Sequence, residues 1–315
     1  MRLHVHGIGV CGVGVDSPAG TATARLADVP IKDYARPAER RRFGRLAKLM
    51  YVAASRALAD AGVADPSQLA VVAGTALGEP AVSLEMLAQI HASAGRTLSP
   101  ALAPNSVHSS PAGYLTIGLK NRMPALTVSQ GWLSAEAALS AAAELLDRDD
   151  APMALVVCGD EADPEWEARL AAAGAPGLAA ALAAEAFQEG AVALVVGCEP
   201  GGRKLGALAA GVVRPGPKAA DLRGLLERSG ALPPPDANVR LRHQAGGAAF
   251  APLAAVALGR DPSSLVVDGP GPGSSQAGAL AALTAHLTRS PRGELLLLGR
   301  EIDEVGFLRY VPLTS

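Results

Sequence analysis

"TVSQGWLSAEAAL", residues 127–139, reads as the end of a strand, a tight turn and the start of a helix. Thr127 and Val128 are β-branched and favour a pleated backbone. Gly131 supplies the freedom that a sharp reversal needs. From Ser134 onward "SAEAALSAAAELLDRDD" (134–150) is Ala-rich, acidic at its far end and helix-forming. Enzymes often seat a nucleophile at a strand-to-helix turn, because the helix dipole favours an anion there. This turn offers Gln130, Gly131 and Trp132, and no cysteine.

The same alternation extends outward in both directions. Strand-like apolar runs occur at 3–10, 69–77, 125–129, 153–161, 191–199, 205–213, 264–269 and 294–300. Several are almost wholly apolar, as strands covered on both faces are. Between them lie helical stretches at 45–63, 134–150, 246–259 and 277–287, the first ending at Gly62. "DPEWE" (163–167) has the acidic character of a helix start. Strands alternating with helices predict an α/β layered fold. Each half contains a strand followed by an Ala/Gly-rich helix, which allows an internal duplication. "GGRKL" (201–205) falls at its mid-point, and "LPPPDAN" (232–238) reads as an extended connection.

Composition narrows the function. The chain has 315 residues, 49% of them hydrophobic but only 3% aromatic, so its core is built from Ala, Val and Leu. The net charge of −2, with no long basic run, argues against bulk nucleic-acid or membrane-surface binding. "RPAERRRFGR" (36–45) is the one basic cluster, either a solvated helix start or a docking patch for an acidic partner. Cys11, Cys158 and Cys198 lie far apart in apolar contexts, read as buried free thiols; no metal-ligand spacing occurs. Neither a signal peptide nor a spanning run is recognised, so a cytoplasmic location is expected.

Other motifs carry competing readings. "GIGVCGVG" (7–14) has glycines suited to a dinucleotide loop, but Pro18 follows where a helix should start, so close strand packing explains it better. His108 and His243 occupy loops or helix starts, where a structural role and a catalytic one are both open. Asp160 and Glu161 end an apolar strand at the edge where open α/β sheets bind ligands, and read more simply as a solvated strand end.

Taken in order, these segments resemble the β-ketoacyl-[acyl-carrier-protein] synthases of the thiolase fold. "VHGIGVCGVGVDSPAG" is similar to the family's first strand and loop, and "FGRLAKLMYVAASRALADAGV" to the helix ending Ala-Leu-x-Asp-Ala-Gly. "VVAGTALGE", "APNSVHSSPAGYLTIGLKNRMPALTVS", "EGAVALVVGCEPGGRKLGALAAGVV", "RHQAGGAAFAPLAAVALG" and "DGPGPGSSQAG" match later landmarks in sequence, covering nearly the whole chain. "SVHSSPAGYLTIG" with "DEADPE" is most similar to the chain-length-factor-like branch of aryl-polyene-type clusters.

Departures from the pattern decide what the resemblance implies. Active synthases carry Cys-Ala-Ser-Gly at the turn. Counting back from Ala137, Ala138 and Leu139, the cysteine position falls on Trp132; an alternative register places Gln130 there. Neither residue can carry an acyl thioester. His243 matches the family's second histidine, whereas the first, in a His-Gly-Thr loop, has no counterpart because that segment is shortened to "GALPPPDANVRL" (230–241).

The resemblance therefore implies a thiolase-like α-β-α-β-α sandwich of two related βαβ halves. These are residues 1–200, with the dimerisation segment and degenerate turn, and a shortened 201–315. It implies a non-catalytic chain-length-factor-like subunit without independent activity, cofactor or metal. Its partners would be a catalytic synthase or a second copy, with acyl carrier protein as the substrate carrier. Pocket or interface positions would be His108, Ser109, Tyr114, Thr127, Ser129 and Gly131, with Trp132 plugging the former pocket. The alternatives are an enzyme of altered acyl chemistry using His108, His243, Ser109, Ser110 or Asp160, and a homodimeric acyl-binding scaffold.

Overall fold

The computed structural model describes residues 2–12, 15–16, 25–172, 189–201, 205–214, 218–241, 247–267, 278–289, 293–301 and 304–313. Its strands are β1 (Leu3–Gly12), β2 (Leu69–Gly74), β3 (Ala125–Val128), β4 (Met153–Asp160), β5 (Gly190–Gly197), β6 (Ala207–Val213), β7 (Asn238–Leu241), β8 (Val266–Val267), β9 (Leu295–Glu301) and β10 (Glu304–Val311). The helices of the first part are α1 (Pro37–Arg40), α2 (Arg45–Ala61), α3 (Pro80–Ala92), α4 (Ser110–Gly118), α5 (Ser134–Asp147) and α6 (Pro164–Ala172). Those of the second are α7 (Ala219–Arg228), α8 (Gly247–Leu258) and α9 (Gly278–Arg289).

The strands form one sheet in the order β3-β2-β4-β5-β1-β6-β10-β9-β7-β8. Its two arms repeat each other. β2 lies parallel to β3 and β4, while β4–β5 and β5–β1 are antiparallel. Likewise β7 lies parallel to β8 and β9, while β9–β10 and β10–β6 are antiparallel. The arms meet at a short seam, Leu3 opposite Leu208 and His4 opposite Ala207. The duplication allowed by the sequence is thus a repeat of topology.

Packing turns the two arms into five layers. α2 covers the outer face of the first arm, against β1, β4 and β5. α5 lies between the arms, touching β2 and β4 on one side and β6 and β10 on the other, and α9 joins it there. α7 and α8 cover the second arm. The central layer is thin because α5 buries Ala135, Ala138 and Ala142, whose small side chains let two sheets approach. β2 and β4 are buried almost throughout, which explains their unbroken apolar sequence.

Gly7 and Gly9 face α2 so closely that a Cβ on either would collide with backbone at Ala53, Ala57 or Ala61. This is the close packing expected of the glycine run. Gly62 ends α2 in the left-handed conformation, φ 68°. One expectation needs correction. Cys11 and Cys158 are buried, but Cys198 is exposed, because it lies just beyond the end of β5.

Candidate functional site

β3 is the outermost strand of the first arm, and its backbone leads through exposed Ser129 into the turn. Gly131 has φ 50°, and the Leu133 N–H donates to the Gln130 carbonyl at 3.0 Å, closing a tight reversal. Buried Ser134 fixes the helix entry. Its hydroxyl accepts from the Gln130 N–H at 2.9 Å and donates to the Gly131 carbonyl at 2.7 Å. That hydroxyl is thereby committed to the backbone.

The two candidate nucleophile positions point to different neighbours. The Gln130 side-chain amide donates to Glu304 at 2.5 Å, and Arg214 pairs with the other Glu304 oxygen at 3.0 Å. The turn is therefore tied to β10 of the second arm. Trp132 is half-buried and packs with Leu77 and Trp166 around buried Ala162. The indole thus closes an apolar patch beside the turn.

Asp160 and Glu161 depart from the solvated strand end that the sequence suggests. Both are buried, because the loops after β2 and β4 fold over them. The Asp160 carboxylate accepts from the Thr75 hydroxyl at 2.6 Å and from the Leu77 and Ala76 N–H groups at 2.8 and 3.2 Å. Thr75 Oγ1 in turn accepts from the Gly78 N–H at 3.0 Å. Burial raises the Asp160 pKa, the Thr75 hydroxyl and the loop N–H groups oppose the rise, and the result is about 7. Asp160 thus holds the 75–78 turn that supplies Leu77 to Trp132.

The other sequence-derived positions are spread around this centre. His108 is exposed, with its ring against Gly78, whose φ of +64° suits a residue without a Cβ. Ser109 is exposed ahead of α4, whereas Ser110 is buried and donates to the Pro104 carbonyl. Tyr114 stacks against Phe43 at 4.9 Å, on the α2 side. Thr127 is half-buried, and its Oγ1 is buried without a hydrogen-bond partner. His243 lies outside the described residues. The structure therefore clusters Gln130, Gly131 and Trp132 with the 75–78 turn and His108, and sets Tyr114 apart.

Sequence reasoning missed Thr75, Arg214 and Glu304. Thr75 lies within "VVAGTALGE" but was not singled out there, Arg214 and Glu304 belong to no motif, and each makes its bond across more than fifty residues of chain. Among the described residues there is no group of three or more His, Cys, Asp or Glu able to hold a metal ion.

Residues 20–200 match the family model of the β-ketoacyl synthase N-terminal domain. The chain belongs to the β-ketoacyl synthase family. Solved structures show the same fold. "The ishigamide ketosynthase/chain length factor" superposes with a TM-score of 0.73 at 20% identity, covering 100% of both chains. The ketosynthase complex of AntDE with the acyl-carrier protein AntF, "bound to the hexaketide", gives 0.71 at 15% identity and 99% of both chains. The ketosynthase ApeO in complex with its chain length factor ApeC, from Xenorhabdus doucetiae, gives 0.50 at 19% identity, over 73% of this chain and 91% of that one. No curated protein matches the chain significantly. The synthase fold of the chain is thus the thiolase-like sandwich expected from the sequence, and no described helix of this synthase homologue is long and apolar enough to cross a membrane.

Proposed function

We propose that this chain is a non-catalytic, chain-length-factor-like subunit that pairs with an active β-ketoacyl synthase in polyene or fatty-acid-like chain extension on acyl carrier protein. The observation that carries the reading is the turn before α5. A condensing enzyme needs an acyl-bearing nucleophile there. Here Gln130 is bound to Glu304, Ser134 to backbone, and Trp132 is packed against Leu77 and Trp166. We assign Trp132 as the plug of the former pocket and Gln130 as an anchor to the second arm.

Pairing is supported by the edge of the sheet. β3 ends the first arm with Ala125 and Leu126 exposed, and Ile117 of α4 projects beside it at 71% exposure. An exposed apolar edge strand invites a partner strand, which would extend the sheet. The similar structures include ketosynthases with chain length factors, and an acyl-carrier protein with its ketosynthase. The exposed Arg36, Arg41 and Arg42 around α1 offer a basic surface suited to an acidic carrier protein.

The test is assembly. The chain mixed with a catalytic synthase from the same gene cluster should elute as a heterodimer, and Leu126→Asp should abolish it while leaving the fold intact. A stable homodimer indifferent to the synthase would refute the reading and favour the acyl-binding scaffold. Altered acyl chemistry gains no support from Asp160 or Ser110, since both are buried and hydrogen-bonded within the protein.

A further inference from the structure

Two buried carboxylates hold the N-terminal end of α3, one tying it to α2 and the other to the end of β4. Glu79 is the N-cap residue of α3, and its carbonyl accepts from the Ser83 N–H at 3.1 Å. Its side chain turns back to the start of α2, accepting from the Ala47 and Leu46 N–H groups at 3.1 and 3.3 Å. Gly44 leaves room for that carboxylate, since a Cβ there would collide with it. Glu161, from the end of β4, accepts from the Ala81 N–H of α3 at 2.9 Å through Oε1. Its Oε2 is buried with no hydrogen-bond partner. Glu79 is 3% exposed and Glu161 1%.

Two ionised carboxylates buried at one helix end repel each other, and a single proton relieves the repulsion. Two of the nearby cations are already engaged. Arg45 pairs with Glu189, and Arg25 pairs with Asp163 at 3.3 Å. Lys48 on α2 faces Glu79, as does the Tyr114 hydroxyl from α4, and Asp163 adds negative charge beside Glu161. Arg45 also feels Glu161 and Asp28. Burial raises both glutamate pKa values, and for Glu161 the charge of Glu79 raises it further.

α3 depends on this joint. Pro80 is its one buried residue, and the rest of the helix is half or fully exposed. We infer that Glu79 and Glu161 share one proton, which latches the N-terminus of α3 to α2 and β4, and that loss of this proton at alkaline pH releases α3. The latch requires no partner and no acyl chemistry, so it stands apart from the subunit reading.

Hydrogen exchange on the isolated chain tests it. From about pH 6 to about pH 9, protection of the α3 amides, corrected for intrinsic exchange, should fall about tenfold relative to β4. In Glu161→Gln, where a neutral amide replaces the protonated acid, α3 protection should be independent of pH. Constant α3 protection in the wild type, or an equal loss in the variant, would overturn the latch. Should Glu161→Gln not fold, carboxyl carbon NMR on the wild type decides. One glutamate proton lost above neutrality supports the latch, and two carboxyls ionising in the ordinary glutamate range overturn it.

Discussion

Asp160 anchors the site with no solvent contact. It gathers a hydroxyl and two backbone N–H groups from the 75–78 turn, and its removal takes the acceptor from all three donors. Asp160→Ala should therefore lower stability by about 3 kcal/mol, read from urea unfolding. The pH dependence follows from its folded pKa, raised from 3.8 to about 7. The folded state holds the proton more tightly than the unfolded chain, so the stabilisation is complete below the ordinary aspartate range. It is lost as pH rises towards about 7, and Asp160→Asn should remove that slope from the unfolding midpoint. Gly78→Ala should cost about 1 kcal/mol, because φ +64° strains a Cβ, and His108→Ala should relieve only the ring contact. At this scale the sequence disclosed what local rules govern. The glycines packed under α2 and the Gly62 cap were legible because steric demand is written in one residue. The burial of Asp160 was not, since an acid after an apolar strand looks solvated and its partners come from the loop after β2.

Elements were legible in proportion to their length and pattern. α2, α5 and the buried strands β2, β4 and β5 fall within a few residues of the runs that predicted them. β10 escaped because "EVGFLRYV" mixes charges with apolar residues, and pairing with β6 and β9 makes it a strand. β7 follows directly on the Pro-rich connection and is held by β9 and β8. α3 escaped because its apolar residues do not gather on a buried face. β3 carries the element-scale prediction. Leu126→Asp places a charge on a 41%-exposed edge residue. Chain stability should change by less than about 1 kcal/mol, while light scattering should show loss of the complex with a synthase.

At the scale of the molecule, two arms of one topology enclose α5, and the turn at its start is tied to both. Thr75 and Asp160 hold it from the first arm, and Glu304 with Arg214 from the second. Order along the chain made this fold readable, since seven landmarks in family sequence constrain topology more than any one of them. The absence of a cysteine from the turn is plain in Gln130, Gly131 and Trp132, whereas the clamp by Glu304 was not legible, because it joins residues 174 apart. The account's central claim is that this synthase fold performs no condensation by itself. The direct measurement supplies the purified chain with malonyl- and acyl-loaded carrier protein and follows β-ketoacyl product by mass spectrometry. The account predicts no product from the chain alone; robust condensation by the single chain would contradict it.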